Sequence, residues 1–417
     1  MGSVSRNYSD RIDGGTDGSA TVQQSPGREA AVRRGRMTND CTVRWRPVAD
    51  LSPQDLAAWL ALEGRAAEPN AFLSPHFILA ALRHLDPGQA VRVAWIERRG
   101  ASGPTLVGIG VFRRVMGSRA FPWPHLTAYL SGHGYVGGLL LDREVVDGAV
   151  EALHDDLRRP WRFWQGLELP RTPCDGPVAQ ALERAARRRG GAVLKLGRSA
   201  RAMLGIHDSG EAMLREQLGK KLNEINRCRR RLDEMGEVTW HCFRRGIPEA
   251  AIEAFLQLEH LGWKGEAGTS IRACPRDEAF FREMIAGFDR DGRALFTELR
   301  LDGRPIASTC NFVAGTMGFA FKVGWDPALR KLGPGMLNEV EFIRQVRTHC
   351  PDLTLFDSGA VADSFISRLW PGRRPMGSLV LPTRPLAALC VNGVERLRQA
   401  RRRPRADIAM DVTQKET

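Results

Sequence analysis

Arg330-Lys331-Leu332-Gly333-Pro334-Gly335 constrains what this chain can fold into more than any other stretch. It reads R-x-x-G-x-G and separates a strand-like run from a helix-like run. Met317 to Trp325 (MGFAFKVGW) is aromatic and apolar, as strands are. Met336 to Val346 (MLNEVEFIRQV) sets Leu337, Val340, Ile343 and Val346 at helical spacing. A glycine-rich turn opening a helix leaves first-turn N–H groups free at the positive end of the helix dipole, which suits a pyrophosphate. Glycine belongs there because a Cβ would hold phosphates away from the backbone. Pro334 subtracts one donor. An ordinary strand-to-helix connection uses the same residue types, and the hexapeptide alone does not separate the two readings.

The surrounding chain does separate them. Leu258-Glu259-His260-Leu261-Gly262-Trp263-Lys264-Gly265-Glu266-Ala267-Gly268-Thr269 resembles the LE…GWKG…GT segment of a bacterial GNAT-type family, the CelD-like acetyltransferases associated with cellulose and exopolysaccharide synthesis. Later segments follow in the same order. Leu295 to Leu301 reads as a strand, Asp302-Gly303 as a hairpin turn, and Arg304 to Ala307 as the start of the return strand. Leu353 to Asp357 reads as the next strand, followed by Ser358-Gly359 and a helix from Asp363 to Trp370. The resemblance is strongest over residues 210–382. It implies acetyl-CoA as co-substrate. The backbone of Phe321, Val323 and Gly324 would line the pantetheine, and Arg330, Gly333, Gly335, Met336 and Leu337 the pyrophosphate.

A chain of 417 residues suits two domains. Residues 1–40 are rich in Gly, Ser, Arg and Asp and are expected to be disordered. Residues 41–196 and 197–385 are expected to form two domains of similar size, with residues 386–417 as a basic tail. Strands alternate with helices in both halves, which argues for a layered α/β fold. With the resemblance, this becomes a tandem GNAT-like arrangement of mixed sheets flanked by helices, related to the Fem-type aminoacyltransferases. Glu211 to Met235 carries an apolar stripe (Leu214, Leu218, Leu222, Ile225, Leu232, Met235) and many basic residues. It reads as a helix with either a solvated face or an anion-binding one.

Composition narrows the setting. The N-terminus has no apolar signal segment, and no run reaches the length of a membrane span. The eight cysteines are scattered without a CxxC, so reduced thiols in a cytoplasmic protein are expected. The nine histidines show no paired ligand spacing, and no metal is expected. A net charge of +13 favours anionic partners. No nucleic-acid module is recognisable. Gly132 to Gly137 (GHGYVG) matches GxGxxG, but strand-like Leu139 to Leu141 follows where a dinucleotide fold needs a helix. It reads as a glycine-rich turn or a loop in an active cleft.

GNAT chemistry is direct transfer from a thioester, so the resemblance asks for a polarised carbonyl, a base for the acceptor and an acid for the departing thiolate. Candidate bases are Asp357 first and Glu259 second, with Glu298 and Asp363 behind them. Glu259 could equally pair with Lys264 or cap a helix. Trp263, Lys264 and Ser358 are expected at the acceptor. Many GNAT enzymes use a tyrosine as the acid, yet this chain holds only Tyr8, Tyr129 and Tyr135, none in the second half. Ser358, Ser364, water or a residue of the first half would have to serve. The expected acceptor is a small molecule or glycan precursor, with polysaccharide-synthesis machinery as a further partner.

Overall fold

The computed structural model describes residues 40–402 except 102, 119–120, 207–208 and 262. The side chains of residues 263–264 and 395–402, and the segment expected to be disordered, lie outside the described residues. Among the described residues no helix is long and apolar enough to cross a membrane.

The first half contributes β1 (Cys41–Pro47), α1 (Pro53–Glu63), α2 (Pro75–His84), β2 (Val91–Gly100), β3 (Gly103–Val115), β4 (His125–Ala128) and β5 (Leu140–Leu141). It continues with α3 (Val146–Arg158), β6 (Gly166–Pro173), α4 (Pro177–Arg187) and β7 (Leu194–Gly205). The second half opens on α5 (Gly210–Leu218) and α6 (Lys220–Asp233). There follow β8 (Val238–Arg244), α7 (Glu249–His260), α8 (Trp263–Glu266) and α9 (Pro275–Arg290). A meander of β9 (Ala294–Leu301), β10 (Arg304–Ala314) and β11 (Met317–Trp325) leads to α10 (Pro334–His349). The chain ends with β12 (Leu355–Asp357), α11 (Ile366–Leu369), β13 (Gly372–Pro382) and α12 (Pro385–Arg402).

All strands join one mixed sheet, ordered β1-β2-β3-β4-β6-β13-β7-β12-β11-β10-β9-β8, with β5 on β3. Among the described residues, only β4–β6 and β11–β12 are parallel. The two halves exchange their last strands. β13 pairs with β6 of the first half, and β7 with β12 of the second. β7 runs across the domain boundary expected at residue 196 and ends at Gly205. After an irregularity at Gly197 and Arg198, its middle still pairs, with Ser199 and Ala200 opposite Met376 and Pro375 of β13.

One apolar core crosses between the halves. Phe72 and Phe77 of the first half sit edge-on to Phe319 and Phe280, at 6.0 and 5.3 Å between ring centroids. Arg374 on β13 reaches back to Glu68 at 2.7 Å, and Arg293 pairs with the buried Glu63. Asp302 and Gly303 both hold positive φ (50° and 77°), as a two-residue hairpin turn between β9 and β10 requires.

Three expectations are corrected. Glu211 to Met235 is two helices, because Gly219 takes φ 51° and ψ −124°, a conformation that ends α5 and starts α6. The Asp363–Trp370 helix shrinks to Ile366–Leu369. The start of the expected tail is α12, held by Ala387 and Val391 against Phe121, Leu194 and Val380.

Glu339, inside α10, is 8% exposed and has a carboxylate oxygen without a partner among the described residues. Burial pushes its pKa up from 4.5 to about 7. Between those two values the folded chain keeps a proton that the unfolded chain has released, so stability falls as pH rises through this window. The loss is about 3 kcal/mol above it. Glu339→Gln is expected to abolish this fall, raising the unfolding midpoint at pH 8 and leaving it unchanged at pH 4. Equal midpoints for both proteins at pH 8 would show that the carboxylate ionises in the fold without cost.

Candidate functional site

The site forms where two parallel strands part. β11 and β12 pair only through Met317–Phe319 and Leu355–Asp357. The β10–β11 register jumps from Cys310↔Lys322 to Asn311↔Ala320 and leaves Phe321 as an extra residue. Such a bulge bends a strand and increases its twist. β11 therefore runs on to Trp325 without a strand partner on the β12 side.

Beyond the notch lies the glycine-rich turn. Asp326 caps a 3-10 turn, Pro327–Leu332, by accepting from the Ala328 N–H at 3.0 Å. Gly333 then takes the left-handed conformation, φ 62° and ψ 51°, and starts α10 with Pro334 at its first position. Proline costs nothing there, since that N–H has no partner within a helix. No side chain caps this N-terminus. Val323, Trp325, Arg330, Gly333, Gly335, Met336 and Phe365 line a pocket of about 260 Å³ at this point. The pocket thus brings together Val323, Arg330, Gly333, Gly335 and Met336. The open helix terminus, the guanidinium of Arg330 and the absence of Cβ atoms fit a pyrophosphate.

The other expected donor residues sit nearby but face elsewhere. Leu337 is buried with Leu299, Ile306 and Ala307, and its N–H donates to Gly333 O at 3.0 Å. Phe321 points into the core between the halves. Gly324 lies against α7, where a Cβ would fall 2.4 Å from Glu259 N. Its glycine serves that close approach. At Gly335 a Cβ would stand 3.2 Å from Trp325 Cδ1.

Asp357 ends β12 and is fully buried. Its Oδ1 accepts from Gly359 N–H at 2.8 Å and faces Arg201 Nη1 at 3.4 Å, and its Oδ2 has no hydrogen-bond partner among the described residues. Burial lowers the Arg201 pKa, with Asp357 opposing. Ser358 follows, its Oγ accepting from Ala360 N–H at 3.2 Å. Glu259 is also buried. Its Oε2 accepts from Ile271 N–H at 2.8 Å, and Oε1 lies 3.9 Å from Lys322 Nζ. The carboxylate thus ties the segment after α7 to the helix end. Glu298 pairs with Arg300 at 2.6 Å, and Asp363 is exposed. Trp263 and Lys264 lie on α8, with side chains outside the described residues.

The first half completes the notch. The Ser131–Gly138 loop, which holds the GxGxxG sequence, lies against β11 and no helix follows it directly. Arg171 donates to Gly134 O at 2.7 Å, Arg201 to Tyr135 O at 2.9 Å, and Asn70 to Gly137 O at 3.2 Å. Gly137 is required because a Cβ would stand 2.2 Å from Pro170 O. So held, the loop sets Tyr135 5.7 Å from the Phe321 ring and stacks His133 on Phe280 at 5.6 Å. At Gly359 a Cβ would meet Tyr135 Cδ2 at 2.7 Å, so the ring also touches the turn after Asp357. Burial, then the charge of Glu259, pushes the Tyr135 pKa up to about 12. Burial, then Lys322, lowers that of His133. The phenol is protonated and the imidazole neutral near pH 7. Tyr135, His133 and Arg201 were not among the expected site residues. The glycine-rich loop was the one sequence signal that pointed at two of them.

Residues 219–365 match the model of the acetyltransferase (GNAT) domain family. No curated protein matches the chain by sequence. Among solved structures, the fold is similar to that of FemX, with a TM-score of 0.53 and 12% identity over 81% of this chain and 98% of that one. It is also similar to a conserved protein of unknown function from Bacteroides thetaiotaomicron VPI-5482, with a TM-score of 0.50 and 12% identity over 82% and 100% of the two chains. On a mixed α/β fold of this kind, residues 219–365 form a GNAT acetyltransferase domain, which makes the chain an acyltransferase.

Proposed function

We propose that the protein transfers an acyl group from acetyl-CoA directly to the amine or hydroxyl of a sugar or other cell-envelope or exopolysaccharide precursor. The observation that carries the donor assignment is the pocket at the start of α10, beside the unpaired edge of β11. The pyrophosphate would meet the first-turn amides and Arg330, and the pantetheine would extend along β11 toward the notch. The acceptor nitrogen or oxygen attacks the thioester carbonyl and its proton passes to a base. The C–S bond then breaks and the thiolate takes up a proton. Asp357 is the proposed acceptor-side carboxylate, since its Oδ2 lacks a partner and Ser358 and Arg201 adjoin it. Glu259, Trp263 and Lys264 would shape the acceptor end. Tyr135, supplied by the first half, is the proposed acid for the thiolate.

One observation favours a second reading, aminoacyl transfer from a charged tRNA. Cys228 and Leu232 of α6 pack with Leu329 and Leu332 of the donor turn, while Lys220, Lys221, Arg227, Arg230 and Arg231 are exposed. This basic face suits a larger anionic donor.

Isothermal titration with acetyl-CoA separates the two. Binding in the micromolar range, about 8 kcal/mol, is expected for the native chain. Gly333→Asp is expected to lose it, because a carboxylate would face the phosphates. No binding by the native chain would move the assignment to the charged-tRNA donor. Asp357→Asn is expected to keep the donor affinity and lower turnover by about 100-fold; an unchanged rate would remove Asp357 from the chemistry. Tyr135→Phe is expected to lower kcat by about 100-fold with the acetyl-CoA KM unchanged. A full rate in this variant would leave water as the acid.

A further inference from the structure

Arg384, just before α12, joins two segments far apart in sequence. Its guanidinium donates to the carbonyl oxygens of Arg158 and Arg159, each at 2.9 Å, and to that of Arg162. Thr383 adds a bond to Trp164 O at 2.6 Å. The loop after α3 (Arg158-Arg159-Pro160-Trp161-Arg162-Phe163) is thereby fixed beside the start of α12.

Both segments present apolar side chains to solvent. Trp161 is 65% and Phe163 82% exposed on the loop, and Leu386 76% and Leu389 67% on the helix. These four are among the largest apolar exposures of the described residues. On α12, Ala387 and Val391 face the protein, while Leu386, Leu389, Cys390 and Val394 form a stripe on the other side. A helix buried on one apolar face has no structural need for a second.

The exposed charges around this patch are mostly positive, with the buried Asp156 pairing with Arg159 and Arg162 beneath it. Arg158, Arg159 and Arg162 alternate with the loop's aromatics, and Arg159 lies over the Trp161 ring at 5.5 Å. From Arg384 to Arg402 the sequence holds five arginines and a single carboxylate, Glu395. Tryptophan and phenylalanine tips between arginines, beside a helix with an apolar stripe and a basic end, are what a surface needs to lie on an anionic bilayer. The +13 net charge of the whole chain works in the same direction.

We infer that the loop 158–163 and the outer face of α12 dock the protein on membranes rich in anionic lipid. Trp161, Phe163, Leu386 and Leu389 would enter the headgroup boundary while the arginines meet lipid phosphates. The inference does not depend on the acyl donor or acceptor.

Co-sedimentation of the full chain with vesicles tests it. Vesicles containing phosphatidylglycerol are expected to bind at least about tenfold more strongly than pure phosphatidylcholine, and binding should weaken as salt rises. The double variant Trp161→Ser/Phe163→Ser is expected to reduce binding by about tenfold while keeping the native unfolding midpoint, as both side chains are exposed. Leu386→Ser/Leu389→Ser should do the same from the helix side. Absence of binding to either vesicle would overturn the inference. So would binding that both double variants retain in full, since that would be diffuse charge attraction. Light scattering that shows a dimer of the native chain and a monomer of both variants would assign the patch to a second copy instead.

Discussion

Three residue pairs hold β11 to β12, and the geometry of the candidate site depends on that pairing ending where it does. A parallel ladder that continued would close the sheet and leave no unpaired strand edge. The extra residue at Phe321 turns β11 away instead. The same strand then delivers its end to the glycine-rich turn, so the gap and the helix terminus lie along one line. An unpaired strand edge and an open helix terminus thus lie in series on a single strand and its connection.

The gap is finished by residues from the other half of the chain. Arg201 on β7 touches Asp357 and the Tyr135 carbonyl, and so links the floor of the notch to the loop that walls it. A buried pair of this kind contributes little net stability, because desolvation offsets its Coulomb energy. Its value is positional: it fixes the Asp357 carboxylate against the backbone of the loop that carries Tyr135. The phenol keeps its proton because it is buried and feels the charge of Glu259.

Local chemistry was readable in the sequence. The Asp302-Gly303 turn, the β9–β11 meander and the helix after Gly333 follow from turn residues and periodicity confined to short windows. Asp357 and Ser358 could be located because strand ends carry their own punctuation. What could not be read depends on distance along the chain. Tyr135 and Phe321 meet through tertiary packing that no local pattern encodes. The polar middle of β7 hides a strand, because its partner is β13, near the far end of the sequence. The apolar stripe from Leu214 to Met235 suggested one helix, since periodicity survives a break that the backbone of Gly219 imposes.

The exchange of β7 and β13 carries a consequence for how the molecule is made. On a ribosome the first half emerges early, but the strand that covers its β6 edge is residues 372–382. Until then β6 offers a row of unpaired amides and carbonyls, the kind of template that other extended chains can join. β7, already synthesised, must wait between a missing neighbour on one side and β12 on the other. The sheet is therefore completed from its middle, once residues 372–382 have been made, by insertion of a strand rather than by addition at a rim. A nascent or truncated chain that stops before Gly372 would lack a central strand, and both halves would feel the loss together.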